Sequence, residues 1–307
     1  MKFQIDLLIE RIRKTGNPTC VGLDTRVEYL PKAYLDSICP DGVDSMEKAA
    51  QAILQYNIDL LDAVADLIPS VKVQVAYYEM YGLEGMKAFY QTVKEAKARN
   101  LTVIVDVKRN DIGATAEAYS AAYLGETSLP KGAARACESD FATVNPYLGE
   151  DGIKPFLKDI ASHGTGIFAL VKTSNPSSGQ LQDLMIGEKT VYQVVGDLVS
   201  EWGKDSIGEY GYSAVGAVVG ATYPEQGTEL RKRLPHTFFL VPGYGAQGAK
   251  GEDLKGCFDE KGEGAVVNAS RSILCAWKKH PEMDFKQAAR AEVIAMRDDI
   301  ASALGKN

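Results

Sequence analysis

Residues 101–113 read LTVIVDVKRNDIG, an apolar run that leads into charged residues and a glycine. Alternation predicts a buried strand over 101–107, in which three valines share one face while Asp106 and Lys108 point to the other. The alanine-rich stretch that follows favours a helix, so Asp111 falls in a short strand-to-helix loop. Ligands of α/β proteins bind at such loops, so these charges mark a candidate site.

Seven more apolar runs alternate with helical patterns along the chain. The eight predicted strands span residues 19–23, 71–75, 101–107, 141–144, 166–171, 214–219, 237–241 and 265–268, and helical patterns lie around 45–67, 83–99, 151–162 and 188–203. This alternation predicts an α/β fold, a (β/α)8 TIM barrel. A doubly wound open sheet is the alternative, but it would more naturally show G-x-G-x-x-G after its first strand, and none follows that strand here.

The barrel is expected to form a single domain over residues 1–307, because no linker or change of composition divides the chain. An amphipathic N-terminal helix is predicted within residues 1–16. Three connections, residues 25–45, 124–140 and 173–187, are longer than a minimal barrel needs, and we interpret them as insertions at the barrel rim.

Composition and charge narrow the classes of function. The chain of 307 residues is 45% hydrophobic and 24% charged, and its net charge of -7 argues against a nucleic-acid-binding surface. The five cysteines form no C-x-x-C pair, which fits a reducing cytoplasm. No apolar run approaches the roughly 20 residues that span a bilayer. Only three histidines are present, so a histidine-rich metal centre is not expected.

Charged residues recur at the first two predicted strands. Asp24 follows the first strand on its inward face, and Lys72 lies on the inward face of the second. Lys72 alone is equally compatible with a structural salt bridge. Together with Asp106 and Lys108, however, these residues put four ionisable groups inside one barrel. Burying several charges is costly unless they are paired, so the joint pattern favours a catalytic site.

The last two predicted strands end in segments suited to an anion. VPGYGAQG at 241–248 is glycine-rich, so its backbone amides can approach a phosphate, and NASRS at 268–272 places Arg271 after the eighth strand. The loops after strands seven and eight commonly form the phosphate site of barrel enzymes. Because the arginine fork matches phosphate oxygens, the two segments together predict a phosphate site.

These segments together resemble the orotidine 5'-monophosphate decarboxylase family. The D-x-K-x-x-D run of Asp106, Lys108 and Asp111 is similar to the family signature. The other matching segments, in the expected order, are Gly22-Leu23-Asp24, Lys72, Pro242 to Gln247, and Arg271. The resemblance spans roughly residues 19 to 275, and the long connections are similar to those of the longer-chain branch of the family.

The resemblance implies decarboxylation of orotidine 5'-phosphate to UMP and CO2 in de novo pyrimidine biosynthesis, without a metal or an organic cofactor. Lys108 would stabilise the carbanion and protonate carbon 6. Asp106 and the partner subunit's Asp111 would lie near the scissile carboxylate, and Lys72 would balance and orient the carboxylates. The expected enzyme is a cytoplasmic homodimer with two shared sites.

The resemblance also implies a set of substrate contacts. These are Asp24 at the ribose hydroxyls, Ser174 at the pyrimidine ring, Gln247 at both phosphate and base, Arg271 at the phosphate, and Ile112 among the substrate-binding residues. Thr173 is an open alternative to Ser174, because the two hydroxyls are adjacent.

Two other functions stay open from the sequence. A related barrel uses a similar D-x-K-x-x-D run with magnesium to decarboxylate or condense sugar phosphates through an enediolate. Lys72 and Gln247 favour the metal-free pyrimidine chemistry, and insensitivity to magnesium would decide between the two. A catalytically silent nucleotide-binding protein would keep Arg271 and Gln247 for phosphate, bind UMP and leave orotidine 5'-phosphate unchanged.

Overall fold

All eight predicted strands are present, and they pair side by side into a closed parallel barrel. The computed structural model describes residues 2–245 and 248–306. Its strands, in chain order, are β1 (Thr19–Gly22), β2 (Ser70–Gln74), β3 (Thr102–Arg109), β4 (Thr127–Leu129), β5 (Gly132–Ala134), β6 (Phe141–Val144), β7 (Gly166–Lys172), β8 (Met185–Ile186), β9 (Lys189–Thr190), β10 (Ser213–Val219), β11 (Thr237–Pro242) and β12 (Ala265–Ala269). Two small antiparallel pairs, β4–β5 and β8–β9, lie outside the barrel, which β1 closes by pairing with β2 and β12. The topology confirms the predicted TIM barrel.

Helices connect the barrel strands. In chain order they are α1 (Gln4–Thr15), α2 (Lys32–Ile38), α3 (Met46–Val64), α4 (Ala76–Glu79), α5 (Gly82–Ala98), α6 (Gly113–Tyr123), α7 (Glu150–His163), α8 (Gly179–Gln182), α9 (Val191–Gly203), α10 (Pro224–Arg233), α11 (Gly251–Leu254), α12 (Arg271–Leu274) and α13 (Phe285–Ala303). The helix α3 packs against α5 and α13 and buries Ile53, Leu60 and Leu61, which recur at helical spacing. In the described part of the chain, no helix has both the length and the apolar composition to cross a membrane.

Helix α1 lies at the amino-terminal end of the barrel. It packs against β3 and β10 and buries Ile5, Leu8 and Ile9. Arg11 donates a hydrogen bond of 2.8 Å to Thr102 at the start of β3. The carboxyl ends of the strands are therefore left open to a ligand at the opposite end.

The three long connections contain small elements of their own. Residues 25–45 hold a short 3-10 helix and α2, and residues 173–187 hold a second 3-10 helix, α8 and the start of a hairpin. Both follow strands, so they belong to the carboxyl end of the barrel. Residues 124–140 instead follow α6 and lead into β6, which puts the β4–β5 hairpin on the amino-terminal side.

Strand β3 departs from regular alternation before it ends. Its pairing with β6 shifts register between Val105 and Arg109, and Lys108 has a φ of 45°, in the left-handed region. Such irregularities re-aim side chains next to active sites. Lys108 nevertheless points to the same side as Asp106, as alternation predicts, and its Nζ lies 2.5 Å from Asp106 Oδ1.

Candidate active site

A cavity of about 570 Å³ opens at the carboxyl end of the barrel. Six of the predicted site residues line it, namely Asp24, Lys72, Asp106, Lys108, Ser174 and Arg271. They lie on or directly after five different strands, which meet at this end because all eight barrel strands run in parallel.

Asp106 is the centre of a paired charge cluster in this cavity. Its Oδ1 accepts hydrogen bonds from Lys108 Nζ (2.5 Å) and Thr143 Oγ1 (2.8 Å), and its Oδ2 accepts from Lys72 Nζ (2.9 Å) and Gln74 Nε2 (2.9 Å). The residue is only 7% exposed. The protein therefore holds this carboxylate in one orientation, with one ammonium group on each oxygen.

The paired charges fix the ionisation of the cluster. Burial opposes the negative charge of Asp106, but the ammonium groups of Lys72 and Lys108 outweigh it and hold the pKa of the carboxyl well below its ordinary value. Burial also opposes the charge of Lys72, but the carboxylates of Asp106 and Asp24 outweigh it and raise the Lys72 pKa. Asp106 and Lys72 are therefore both charged at neutral pH.

Thr143 on β6 connects the backbone of Lys108 to Asp106. Its hydroxyl accepts a hydrogen bond from the Lys108 N–H (2.9 Å) and donates one to Asp106 Oδ1 (2.8 Å). A left-handed backbone costs a residue other than glycine about 1–3 kcal/mol, so Lys108 needs such support. The Lys108 side chain is 46% exposed and lines the cavity, whereas Lys72 is buried. The accessible ammonium of the pair is thus that of Lys108.

Buried hydrogen bonds fix the segment on both sides of Asp24. The Leu23 carbonyl accepts a hydrogen bond from Tyr78 Oη (3.2 Å), and the Thr25 hydroxyl donates to Asn57 Oδ1 (2.6 Å). Asn57 in turn donates to Tyr78 Oη over 2.8 Å. The backbone at Asp24 is therefore held while its carboxylate faces the cavity.

The two adjacent hydroxyls at 173 and 174 have different surroundings. The Thr173 hydroxyl donates to Asn175 Oδ1 (2.6 Å) and accepts from Gln182 Nε2 (2.8 Å). Ser174 lines the cavity, and its backbone carbonyl accepts a hydrogen bond from Thr222 Oγ1 (3.1 Å). Thr173 lines the cavity too, but its hydroxyl is used within its own loop, which favours Ser174 as the ligand contact.

Arg271 lines the cavity beside residues 242–244, at the end of β11. Gly243 and Gly245 have φ values of 114° and 69°, which glycine adopts without strain. The predicted contact Gln247 lies outside the described residues.

The first and last barrel strands approach closely next to Arg271. A Cβ added at Gly22 would lie 1.9 Å from Ser270 Oγ. Asn268 lines the cavity, and its Oδ1 is buried without a hydrogen-bond partner among the described residues. A buried acceptor without a partner is uncommon in proteins, so Asn268 is a further candidate ligand contact.

Asp111 and Ile112 do not line the cavity of their own chain. Asp111 Oδ1 accepts a hydrogen bond from the Ile112 N–H (2.8 Å), and Ile112 is 53% exposed. Their loop packs on α7, where a Cβ added at Gly152 would lie 3.1 Å from the Asp111 carbonyl oxygen. The structure therefore separates these two predicted residues from the other six.

Gln74 and Thr143 belong to the charge cluster but were not predicted as site residues. Gln74 lies on the same face of β2 as Lys72, so alternation carries a signal for it. Thr143 is a common residue type in a buried strand. Its position depends on the register that places β6 beside β3, which the sequence of neither strand reveals.

The described residues contain no group of three or more histidine, cysteine or acidic side chains placed to hold a metal ion. The two carboxylates that line the cavity, Asp24 and Asp106, are both paired with Lys72. Positive charge in the cavity comes from lysine and arginine side chains.

The sequence is similar to known proteins over nearly its whole length. The family described as Orotidine 5'-phosphate decarboxylase / HUMPS family matches residues 18–283. Orotidine 5'-phosphate decarboxylase of Rhodopirellula baltica is 46% identical over 295 residues, covering 94% of this chain and 96% of that protein. The protein of the same name from Caldicellulosiruptor bescii is 42% identical over 299 residues, covering 97% and 98%. The solved structure of Leishmania donovani OMP decarboxylase matches with a TM-score of 0.69 at 28% identity, covering 97% and 99%.

Proposed function

The chain belongs to the orotidine 5'-phosphate decarboxylase / HUMPS family, and from this premise we propose that its barrel site converts orotidine 5'-phosphate to UMP and CO2 in de novo pyrimidine biosynthesis. The observation that carries this proposal is the charge cluster, in which a buried aspartate binds one ammonium group on each carboxylate oxygen. Relatives named as this decarboxylase, above 40% identity and over nearly the full chain, support it.

The reaction needs a cation close to the reacting carbon. Loss of CO2 from carbon 6 leaves an electron pair in an sp2 orbital that is orthogonal to the ring π system, so the ring cannot delocalise it. We assign the stabilising cation to Lys108, whose ammonium faces the cavity. As the carbon–carbon bond breaks, CO2 leaves with the electron pair staying on carbon 6. A proton from Lys108 then forms the C–H bond of UMP, and water reprotonates the amine.

Asp106 and Lys72 prepare the site for this step. The low pKa of Asp106 keeps a negative charge next to the substrate carboxylate, which disfavours bound substrate relative to the transition state. Lys72 lies 2.9 Å from Asp106 Oδ2 and 3.3 Å from Asp24 Oδ1, so it can hold both carboxylates in place. Asp24, Lys72 and Asp106 together would hold the Lys108 ammonium next to carbon 6 of the substrate.

The proposed reaction requires neither metal nor organic cofactor, because Lys108 supplies both the positive charge and the proton. The magnesium-dependent sugar-phosphate reaction would need carboxylates open to the ion. Asp24 and Asp106 are instead bonded to Lys72, which supports the pyrimidine reaction.

The cavity residues can bind the rest of the substrate. We propose that Asp24 contacts the ribose hydroxyls, Ser174 the pyrimidine ring, and Arg271 the phosphate, with Gln247 at both phosphate and base. The first three line one cavity of about 570 Å³, within the size range of sites for ligands of this class.

We further propose a homodimer in which the partner subunit's Asp111 and the partner subunit's Ile112 complete each site. Two observations support this arrangement: neither residue lines the cavity of its own chain, and Ile112 exposes a large apolar side chain. We also propose one decarboxylase domain over residues 1–307 and a cytoplasmic location, which the five free cysteines favour.

The test is the fall in ultraviolet absorbance of orotidine 5'-phosphate on adding purified protein in excess chelator. We expect rapid loss of substrate, unchanged when magnesium is restored. A protein that binds UMP without converting orotidine 5'-phosphate would be a silent nucleotide-binding protein. Activity that appears only on sugar phosphates with magnesium would favour the related barrel chemistry instead.

A further inference from the structure

An ion pair between a buried lysine and an exposed aspartate closes the loop that carries Ser174. Lys172, the last residue of β7, is fully buried, and its ammonium lies 2.7 Å from Asp183 Oδ1, 11 residues farther along the chain. Ser178 accepts a second hydrogen bond from it at 3.2 Å, and the centre of the Tyr223 ring lies 4.6 Å away. The Lys172 ammonium therefore ties the end of residues 173–183, which we call the clasp, back to the residue that precedes them.

Stability alone is a weak explanation for this pair. Taking a lysine out of water costs several kcal/mol, and apolar residues of similar volume often stabilise a fold as well. Neither Lys172 nor Asp183 lines the cavity, so neither is placed to touch a substrate. What the pair does provide is one fixed geometry for the clasp.

That geometry reaches Ser174 through Gln182, which precedes Asp183. Gln182 Oε1 accepts a hydrogen bond from the Thr173 N–H (2.9 Å), and its Nε2 donates to the Thr173 hydroxyl (2.8 Å). On the other side, the Ser174 carbonyl accepts from Thr222 Oγ1 (3.1 Å). The dipeptide is thus held from two directions, and Ser174 is directed at the cavity.

We propose that Lys172 is a positioning residue for recognition of the substrate base. Through Asp183 and Gln182 it fixes the clasp so that Ser174 presents its hydroxyl to the pyrimidine. This inference rests on the proposed function, because it needs a substrate base at Ser174.

Steady-state kinetics of Lys172→Met, Ser174→Ala and the double variant test the inference on orotidine 5'-phosphate. Each single variant should lose about 10- to 100-fold in kcat/KM, the effect of one hydrogen bond lost in a desolvated site. Both changes remove the same contact, so the double variant should fall no more than about twofold below Ser174→Ala. If Lys172→Met does not fold, Gln182→Ala gives the same test. It removes the contacts to Thr173 and leaves the ion pair between Lys172 and Asp183 in place.

Lys97→Met is the control, because Lys97 also pairs with an aspartate, Asp140, at 2.7 Å, but away from the cavity. It should lower the stability of the protein and leave kcat/KM within about twofold. The inference is overturned if the loss in kcat/KM caused by Lys172→Met, or by Gln182→Ala, multiplies with the loss caused by Ser174→Ala when the two changes are combined. Wild-type protein that does not convert orotidine 5'-phosphate would overturn the proposed function itself.

Discussion

At the scale of single residues, the decarboxylase site depends on the hydrogen bonds that the Asp106 carboxylate accepts. Two lysines, Gln74 and Thr143 all donate hydrogen bonds to its carboxylate. Lys72 is the buried donor that fixes the charge, and Lys108 is the accessible donor that faces the cavity. Thr143 adds no charge, but it bonds both the carboxylate and the backbone of the accessible lysine. Each donor can therefore be tested for a different effect.

Thr143→Val should lower kcat about 10- to 100-fold, because it leaves the Lys108 N–H without its acceptor and frees one side of Asp106. Valine has nearly the same shape, so the fold should persist. Thr143→Ser keeps the hydroxyl and should stay within about fivefold of wild type. Stopped-assay measurements of kcat, with UMP affinity in parallel, check the prediction. Equal activity of the valine and serine variants would contradict it.

Lys72→Met should reduce the loss of stability that acid causes. The pKa of Asp106 is lower in the folded protein than in the unfolded chain, so its charge stabilises the fold above about pH 4, and that stabilisation is lost as the pH falls further. Removing one ammonium group raises the pKa of Asp106 toward its value in the unfolded chain, so less stability should be lost as the pH falls below about 4. Melting temperature against pH measures this.

The control for this titration is Lys154→Met, which removes an exposed ion pair with Glu150. Exposed pairs contribute about 0–1 kcal/mol, so the loss of stability in acid should be as large as in wild type. An unchanged acid limb in Lys72→Met would show that Lys72 does not control the charge of Asp106.

At the scale of elements, alternation along the strands predicted the barrel and the four inward charges, Asp24, Lys72, Asp106 and Lys108. The strand at Phe141–Val144 was predicted to the residue. The β4–β5 hairpin was not, because its residues are exposed and show no buried face that would leave a pattern. The left-handed backbone of Lys108 and the hydrogen bonds of the Thr173 hydroxyl could not be predicted from the sequence. Both depend on partners brought close only by folding, Thr143 and Gln182.

Gly22→Ala should raise KM for orotidine 5'-phosphate by about 10-fold, because the new Cβ would displace Ser270 and with it Arg271 at the proposed phosphate site. The double variant Gly22→Ala/Ser270→Gly restores the space and should recover most of the affinity. Ser270→Gly alone is the control. A KM of the Gly22→Ala variant equal to that of wild type would contradict this prediction.

At the scale of the whole molecule, the proposed homodimer makes each site depend on two chains. Lys108→Ala and Asp111→Ala should both be nearly inactive alone. When equal amounts of the two variant proteins are unfolded together and refolded, half of the dimers should contain one chain of each variant. Each of these hybrid dimers holds one intact site. Activity should therefore return to about a quarter of wild type. No recovery, in a mixture shown to contain hybrid dimers, would mean that Asp111 acts within its own chain.

The most direct measurement compares wild type with Lys108→Ala in two assays, kcat on orotidine 5'-phosphate and the Kd of UMP. If Lys108 acts on the transition state, kcat should fall at least about 1000-fold, equivalent to about 4 kcal/mol, while the Kd of UMP stays within about fivefold. A variant that keeps more than about a tenth of wild-type kcat, or that loses UMP binding as severely as turnover, would contradict a catalytic role for Lys108.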